Sequence, residues 1–228
     1  MVRAKDGISA STEDYLKVIY DLIDREGHAT TTQIAQELNI RPASVTGMLK
    51  KMAESKPALV RYKKHHGVSL TQTGKKLALE TIRHHRLLEE FLHEVLGFSW
   101  DKVHDEAHRL EHVISEEFEE KMAELLGNPE YDPHGSPIPT RDLEMPEYSR
   151  KRLGEMTKRE RAYIREVPDD DANLLRYLES FGIVPGARIE ILEHSPYDEN
   201  LTFIVMGQAQ NAVLGPSVTS RIFVEKKR

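Results

Sequence analysis

Residues 102–121 read KVHDEAHRLEHVISEEFEEK. His104, His108 and His112 recur there every four residues, and Glu111 stands beside the last. On an α-helix each residue turns by about 100°, so these four side chains share one narrow face. The preceding segment adds His85 and Glu89, also four apart, and six of the 11 histidines fall between 84 and 112. Two antiparallel helices presenting such faces form one or two sites for a divalent cation. Neutral imidazole and carboxylate suit Mn, Fe, Co, Ni or Zn.

Hydrolytic metal chemistry fits poorly. The zinc-protease motif needs Glu directly after the first His, and Asp105 stands there instead, with Glu106 one place later. A di-iron bundle needs two Glu-x-x-His pairs, and Glu90–His93 supplies one. The expectation is therefore a metal-responsive protein and not an enzyme. His84 turns about 100° from His85 and is expected to face solvent; His93 is expected to do nothing specific.

The elements that position these groups follow from periodicity. Ser11 opens STEDYLKVIYDLIDREG, a helix over about 12–26 closed by Gly27. Thr32 is expected to cap a short helix, QIAQEL; Asn39–Ile40 form a turn, and Pro42 starts a third helix running to about Ser55. Two short strands, 58–62 and 67–71, flank a basic tip. A long helix then ends at Gly97, and another, capped by Ser99, is expected to run unbroken to Gly127. NPEYDPHGSPIP, with four prolines in residues 129–139, reads as a stiff connector and a boundary. Beyond about 162 come short strands (GARIEILEHS, LTFIVMG, NAVLG, SRIFVEKK) around one helical stretch, DANLLRYLESFGIVPG, the pattern of a small barrel.

Helix, turn, helix and basic hairpin is the layout of a winged helix-turn-helix. Net charge is −6, yet residues 1–76 carry 13 Lys/Arg against 8 Asp/Glu, and 41–76 carry nine against one. That asymmetry is a polyanion footprint on an acidic chain. In RPASVTGMLKK, Arg41, Ala43 and Gly47 stand where base edges would lie, with Arg41 suited to guanine and Ala43 to a thymine methyl. Ser44 and Thr46 offer hydroxyls to phosphates, and Lys50 and Lys51 sit further along for the backbone. Arg61, Lys63, Lys64, His65 and His66 form the wing, while Val45, Met48, Leu49 and Met52 face inward. With no cysteine, no apolar run of membrane length and no secretion signal, the chain is expected in a reducing cytoplasm with no membrane partner.

STEDYLKVIYDL, ASVTGMLKKM, LTQTGKKLA, HHRLLEEFL, KVHDEAHRLEHVIS and PHGSPIP resemble, in order and over nearly the whole chain, segments of the diphtheria-toxin-repressor family of metal-dependent transcriptional regulators. DANLLRYLESFGIVPGARIEIL is similar to the SH3-like (FeoA-like) domain of its longer members. The resemblance implies a mainly α fold with β: a winged helix-turn-helix over 1–76, a helical dimerisation and metal-binding domain over 77–143, a linker over 144–160 and an SH3-like barrel over 161–228. It implies a primary metal site of Asp14, His108, Glu111 and His112, an ancillary site of His85, Glu89 and His104, and a further ligand near Asp171. Iron-type members carry Met and Cys where this chain has Asp14 and His108, and manganese-type members carry an extra Glu where Lys17 stands. The resulting oxygen and nitrogen donor set favours Mn(II) over Fe(II), with Zn, Co, Ni or Cd able to substitute in vitro. Asp14 also suits a capping-box acid with Ser11. The implied function is a homodimeric, metal-activated repressor of metal-uptake genes on a palindromic operator. The alternative is a metal-storing helical protein without sequence-specific DNA binding.

Overall fold

A computed structural model describes residues 8–63 and 66–226. Helix α1 (Ala10–Glu26) begins at Ser9, whose hydroxyl accepts from the Thr12 amide, and ends at Gly27 in the left-handed region. Ser9, not Ser11, is thus the cap, and Asp14 lies a full turn inside the helix with no capping duty. Helix α2 (Thr31–Glu37) is likewise capped earlier than expected, by Thr30, whose capping box with Gln33 outcompetes Thr32. Asn39 takes a positive φ in the turn to α3 (Pro42–Glu54). Strands β1 (Val60–Lys63) and β2 (Gly67–Leu70) pair antiparallel, and Ala29 bridges to Val68 as a third short edge. Leu16, Ile19, Ile34, Val45 and Leu49, all fully buried, weld these elements together with Leu77 of α4 (Gln72–Glu94). Each such side chain contributes about 1.5–3 kcal/mol by leaving water. Met48 is only partly buried among the inward-facing residues of α3.

The chain divides into two units, and the division passes through α4. One comprises residues up to 84 with 111–113 and 139–145; the other comprises 85–110, 114–138 and 146 onward. The expected single helix over 99–127 is two: α5 (Val103–Leu110) and α6 (Glu116–Leu125), separated by a turn. The break has a local cause. Ser115 accepts from the Phe118 amide and starts a new helix whose first turn carries Glu116, Glu117 and Glu119, where the helix dipole favours acids.

The proline-rich segment is an ordered part of the fold, and the division between the two units falls within it, after Ile138. Asp132, His134, Ser136 and Ile138 are buried. Arg83 donates to the Pro139 carbonyl at 2.7 Å, and Arg86 donates to that of Pro137 at 2.5 Å. Gly135 has φ +88°, and a Cβ there would sit 1.9 Å from the Arg165 carbonyl oxygen, so only glycine fits.

The rest of the second unit is a six-stranded antiparallel sheet, ordered β3-β8-β4-β5-β6-β7. Its strands are β3 (Lys151–Arg152), β4 (Arg161–Glu166), β5 (Arg188–His194), β6 (Leu201–Val205), β7 (Asn211–Leu214) and β8 (Phe223–Glu225). Helix α7 (Ala172–Ser180) and the short α8 (Pro216–Thr219) complete it. Part of the expected linker belongs here: β3 pairs with β8, and Leu153 and Met156 are buried in the core with Phe203 and Leu178. Trp100 is buried in the same core, although it precedes α5. Among the described residues no helix is long and apolar enough to cross a membrane.

Candidate metal centres and nucleic-acid interface

The turn after α5 brings Glu111 and His112 to the second turn of α1. His84 anchors that turn: it is 1% exposed, and its Nδ1 lies 3.1 Å from the Glu111 carbonyl. The expectation that His84 faces solvent was wrong, because helical angle alone does not show what covers the second face. His93 is half-buried and interacts only locally, with the Phe98 carbonyl and Glu94.

His112 Nδ1 donates to Glu13 Oε2 at 2.5 Å, which turns Nε2 towards Asp14 Oδ1 at 2.9 Å and Glu111 Oε1 at 3.4 Å. Lys17 Nζ donates to the second oxygen of Glu111 at 2.8 Å. Hydrogen bonds donated by His112 to Asp14 and Glu13 raise it to about 9, against burial that opposes the charged form. A ring oriented by a carboxylate behind it, with its other nitrogen aimed at two carboxylates, is the arrangement of a metal-ligating histidine. Ligand atoms about 2.1 Å from a shared ion lie about 3.0–3.4 Å apart, and the observed separations of 2.9 and 3.4 Å match. Asp14 Oδ1 is buried and faces His112 Nε2. Asp14, Glu111 and His112 therefore fit a divalent cation. His108 stands one turn before His112 on α5, in the second unit.

The second cluster lies wholly in the second unit. α4 presents His85 and Glu89, α5 presents His104, and the loop before α7 adds Asp169. Glu89 Oε1 lies 3.0 Å from His85 Nε2 and 3.2 Å from His104 Nδ1, the two rings being 3.3 Å apart at those atoms. His104 Nδ1 lies 3.5 Å from Asp169 Oδ2. Asp169 stands where Asp171 was expected. Asp171 caps α7 instead, accepting from the amides of Asn173 and Leu174. Three consecutive aspartates mark the region but not the member; the cap preference of the last one decides it.

The cluster extends to two residues that the sequence reading left without a role. Asp132 Oδ1 accepts from the amides of His134 and Ser136. His134 Nε2 donates to the Trp100 carbonyl at 2.8 Å, and the rings of His134 and Trp100 stack. That bond orients the ring and leaves Nδ1 facing Glu89 Oε1 at 3.9 Å. Asp132 Oδ2, Glu89 Oε2 and His134 Nδ1 are buried without hydrogen-bond partners, and Glu89, Asp132 and His134 form a group of their own. The D-x-H spacing before glycine in DPHGS was the available signal.

Burial would raise Glu89, but His85, His104 and His134 overcome it and hold the carboxyl well below its usual range. Asp169 is held low in the same way by His104, against its own burial. Burial opposes the charged forms of His104 and His134, yet their carboxylate partners raise them to about 11 and about 10. Asp132 goes the other way, pushed up to about 8 by burial and by the charge of Glu89. These buried ion pairs hold protons that a divalent cation would displace.

On α3 the side chains of Arg41, Ala43, Ser44, Lys50 and Lys51 are exposed, as is Gly47. A Cβ at Gly47 would meet nothing within 4 Å. Thr46 is half-buried and its hydroxyl donates to the Pro42 carbonyl at 3.2 Å, so its donor is directed into its own helix and not outward. Arg61, Lys63 and His66 are exposed on the hairpin; Lys64 and His65 lie outside the described residues. A groove between α1 and α3 is lined by Asp14 together with Ser44, Gly47 and Lys51.

Comparison with known proteins identifies the family. Residues 7–68 match the iron dependent repressor N-terminal DNA binding domain, 71–140 its metal binding and dimerisation domain, and 151–226 the FeoA domain. The chain is 32% identical to the iron-dependent repressor IdeR of Mycobacterium leprae, over 95% of this chain and 97% of the relative. It is 36% identical over 116 residues, 51% of this chain and 77% of the relative, to the transcriptional regulator MntR of Oceanobacillus iheyensis. Among solved structures, a manganese-dependent transcriptional repressor in complex with manganese superposes with a TM-score of 0.86 at 31% identity, over 93% of this chain and 98% of the other. ScaR with bound Zn2+ superposes with a TM-score of 0.82 at 34% identity, over 95% and 99%. The chain belongs to the iron-dependent (diphtheria-toxin-repressor) family, made of metal-dependent DNA-binding transcriptional repressors and not of enzymes.

Proposed function

We propose that this repressor is a cytoplasmic homodimer that responds to Mn(II), with Fe(II) the nearest alternative, and then binds a palindromic operator of metal-uptake genes. Asp14, His108, Glu111 and His112 would hold one ion. His85, Glu89, His104 and Asp169 would hold a second, with Asp132 and His134 adjoining it. Every donor is oxygen or nitrogen, which favours a hard or borderline ion. The bound ion supplies positive charge and fixed coordination where carboxylates now converge.

The observation that carries the reading is Asp14. It sits on a helix of the DNA-binding domain, 2.9 Å from His112, and lines the same groove as Ser44, Gly47 and Lys51 of the recognition helix. Coordination through Asp14 ties α1 to the turn bearing Glu111 and His112. A ligand shifts a conformational equilibrium only by binding one state better, and this tie exists only where the three residues meet. His112, oriented by Glu13, gives up the Nε2 proton on binding. Arg41, Ala43 and Gly47 then face base edges, with Ser44, Lys50, Lys51, Arg61, Lys63 and Lys64 on phosphates.

Val95, Leu96 and Phe98 beyond α4, and Phe118 and Leu125 on α6, are exposed apolar side chains that support self-association through this region. A twofold dimer reads two half-sites about one helical turn apart, or a multiple of it. The test is Asp14→Ala. Manganese should no longer promote DNA binding by this variant, and retention of full metal-dependent binding would contradict the reading.

A further inference from the structure

We propose that Lys17 is a resident cation of the primary site and sets the metal concentration at which the protein responds. This inference rests on the reading of Asp14, Glu111 and His112 as metal ligands. Lys17 lies three and four residues after Asp14 and Glu13 on α1, hence on the same face. Its ammonium donates to Glu111 Oε2 at 2.8 Å, its side chain is 16% exposed, and that of Glu111 is fully buried. The other oxygen of Glu111 faces His112 Nε2.

Two consequences follow from charge and geometry. First, Glu13, Asp14 and Glu111 bring three carboxylates around one imidazole, and Lys17 compensates part of that repulsion before any ion binds. Second, an arriving divalent ion meets a positive charge already placed on one of its ligands. Like charges so close in a partly buried site repel strongly. Lys17 also engages one Glu111 oxygen, so that carboxylate has one oxygen to offer an ion. Lys17 therefore stabilises the empty cluster and weakens the filled one. Both effects raise the free-metal level needed for occupancy. Lys17 is thus an affinity-setting residue that is not itself a ligand.

The experiment is calorimetric titration of the metal-stripped, full-length protein with Mn(II), comparing wild type with Lys17→Gln and Lys17→Arg, and each of the three with its Asp14→Ala counterpart to assign the heat to this site. Lys17→Gln should bind Mn(II) at least tenfold more tightly, and its metal-free form should melt at a lower temperature. The charge-conserving Lys17→Arg should restore the weaker binding and the melting temperature. The Mn(II) level for half-maximal DNA binding should fall in Lys17→Gln by the same factor. Unchanged or weaker binding by Lys17→Gln would overturn the proposal and make Lys17 a mere support for Glu111. If wild type shows no heat that depends on Asp14, the metal-site reading itself fails, and the two failures are thereby distinguished.

Discussion

Gly47→Ala should make the free protein more stable and its DNA complex weaker. Gly47 lies in the interior of α3, where glycine costs about 0.8–1.0 kcal/mol relative to alanine. The position is exposed, and a methyl group there would touch nothing within 4 Å, so no internal clash offsets the gain. A gain of about 1 kcal/mol raises the melting temperature by about 2–4 °C in a chain of this size. Nothing inside the molecule accounts for a glycine here. Close approach to DNA does, since a methyl group on the groove-facing side would push the helix off the bases. The loss should be about 1–3 kcal/mol, the scale of one base contact, or roughly 5- to 150-fold in affinity. Thermal melts of the metal-stripped protein and DNA titrations at saturating Mn(II) and one fixed salt concentration give both numbers. A variant that is more stable yet binds DNA as wild type does would refute the placement of this face against the groove. A variant that is less stable would refute the helix geometry.

Other outcomes follow from the same structure. Glu13→Ala removes the carboxylate that orients His112 without removing a ligand, and should weaken Mn(II) binding by about 10–100-fold in calorimetry; wild-type affinity would deny Glu13 that role. His112, His134 and His104 are raised to about 9, 10 and 11. Their contribution to the metal-free fold is complete below their unfolded value near 6.5 and is lost as pH rises through the raised values. Asp132, held neutral to about 8, acts in the same sense. Urea midpoints of the metal-stripped protein should therefore fall from pH 7 to pH 10, while Mn(II) affinity rises over that range as protons leave the ligands. A midpoint that rises with pH would contradict the ion pairs described.

Much of this was legible in the residues. The helix-turn-helix came from apolar spacing and from Gly27 and Pro42, and the wing from its charge. The candidate ligands on α4 and α5 came from four-residue repeats, because a helix converts spacing into a shared face. Glu111 and His112 were found for a partly wrong reason: they sit on a turn after α5, which brings them to α1. Where chemistry depended on non-local packing, the sequence was silent. Asp132 and His134 reach Glu89 through a turn held by Arg86 and Arg165. Nothing in three successive aspartates marks Asp169 over Asp171. Helix starts moved to Ser9 and Thr30 because caps compete locally, and the hydroxyl with the better-placed amide wins.

Metal at Asp14, Glu111 and His112 should switch on sequence-specific DNA binding. The most direct test titrates metal-stripped protein onto DNA from upstream of its own gene and onto scrambled DNA of equal length, with and without Mn(II), at one stated salt concentration, since phosphate contacts make affinity salt-dependent. Selective binding to the upstream DNA should appear only with Mn(II) and disappear on chelation. Equal binding with and without metal would contradict it, as would metal-dependent binding that ignores sequence.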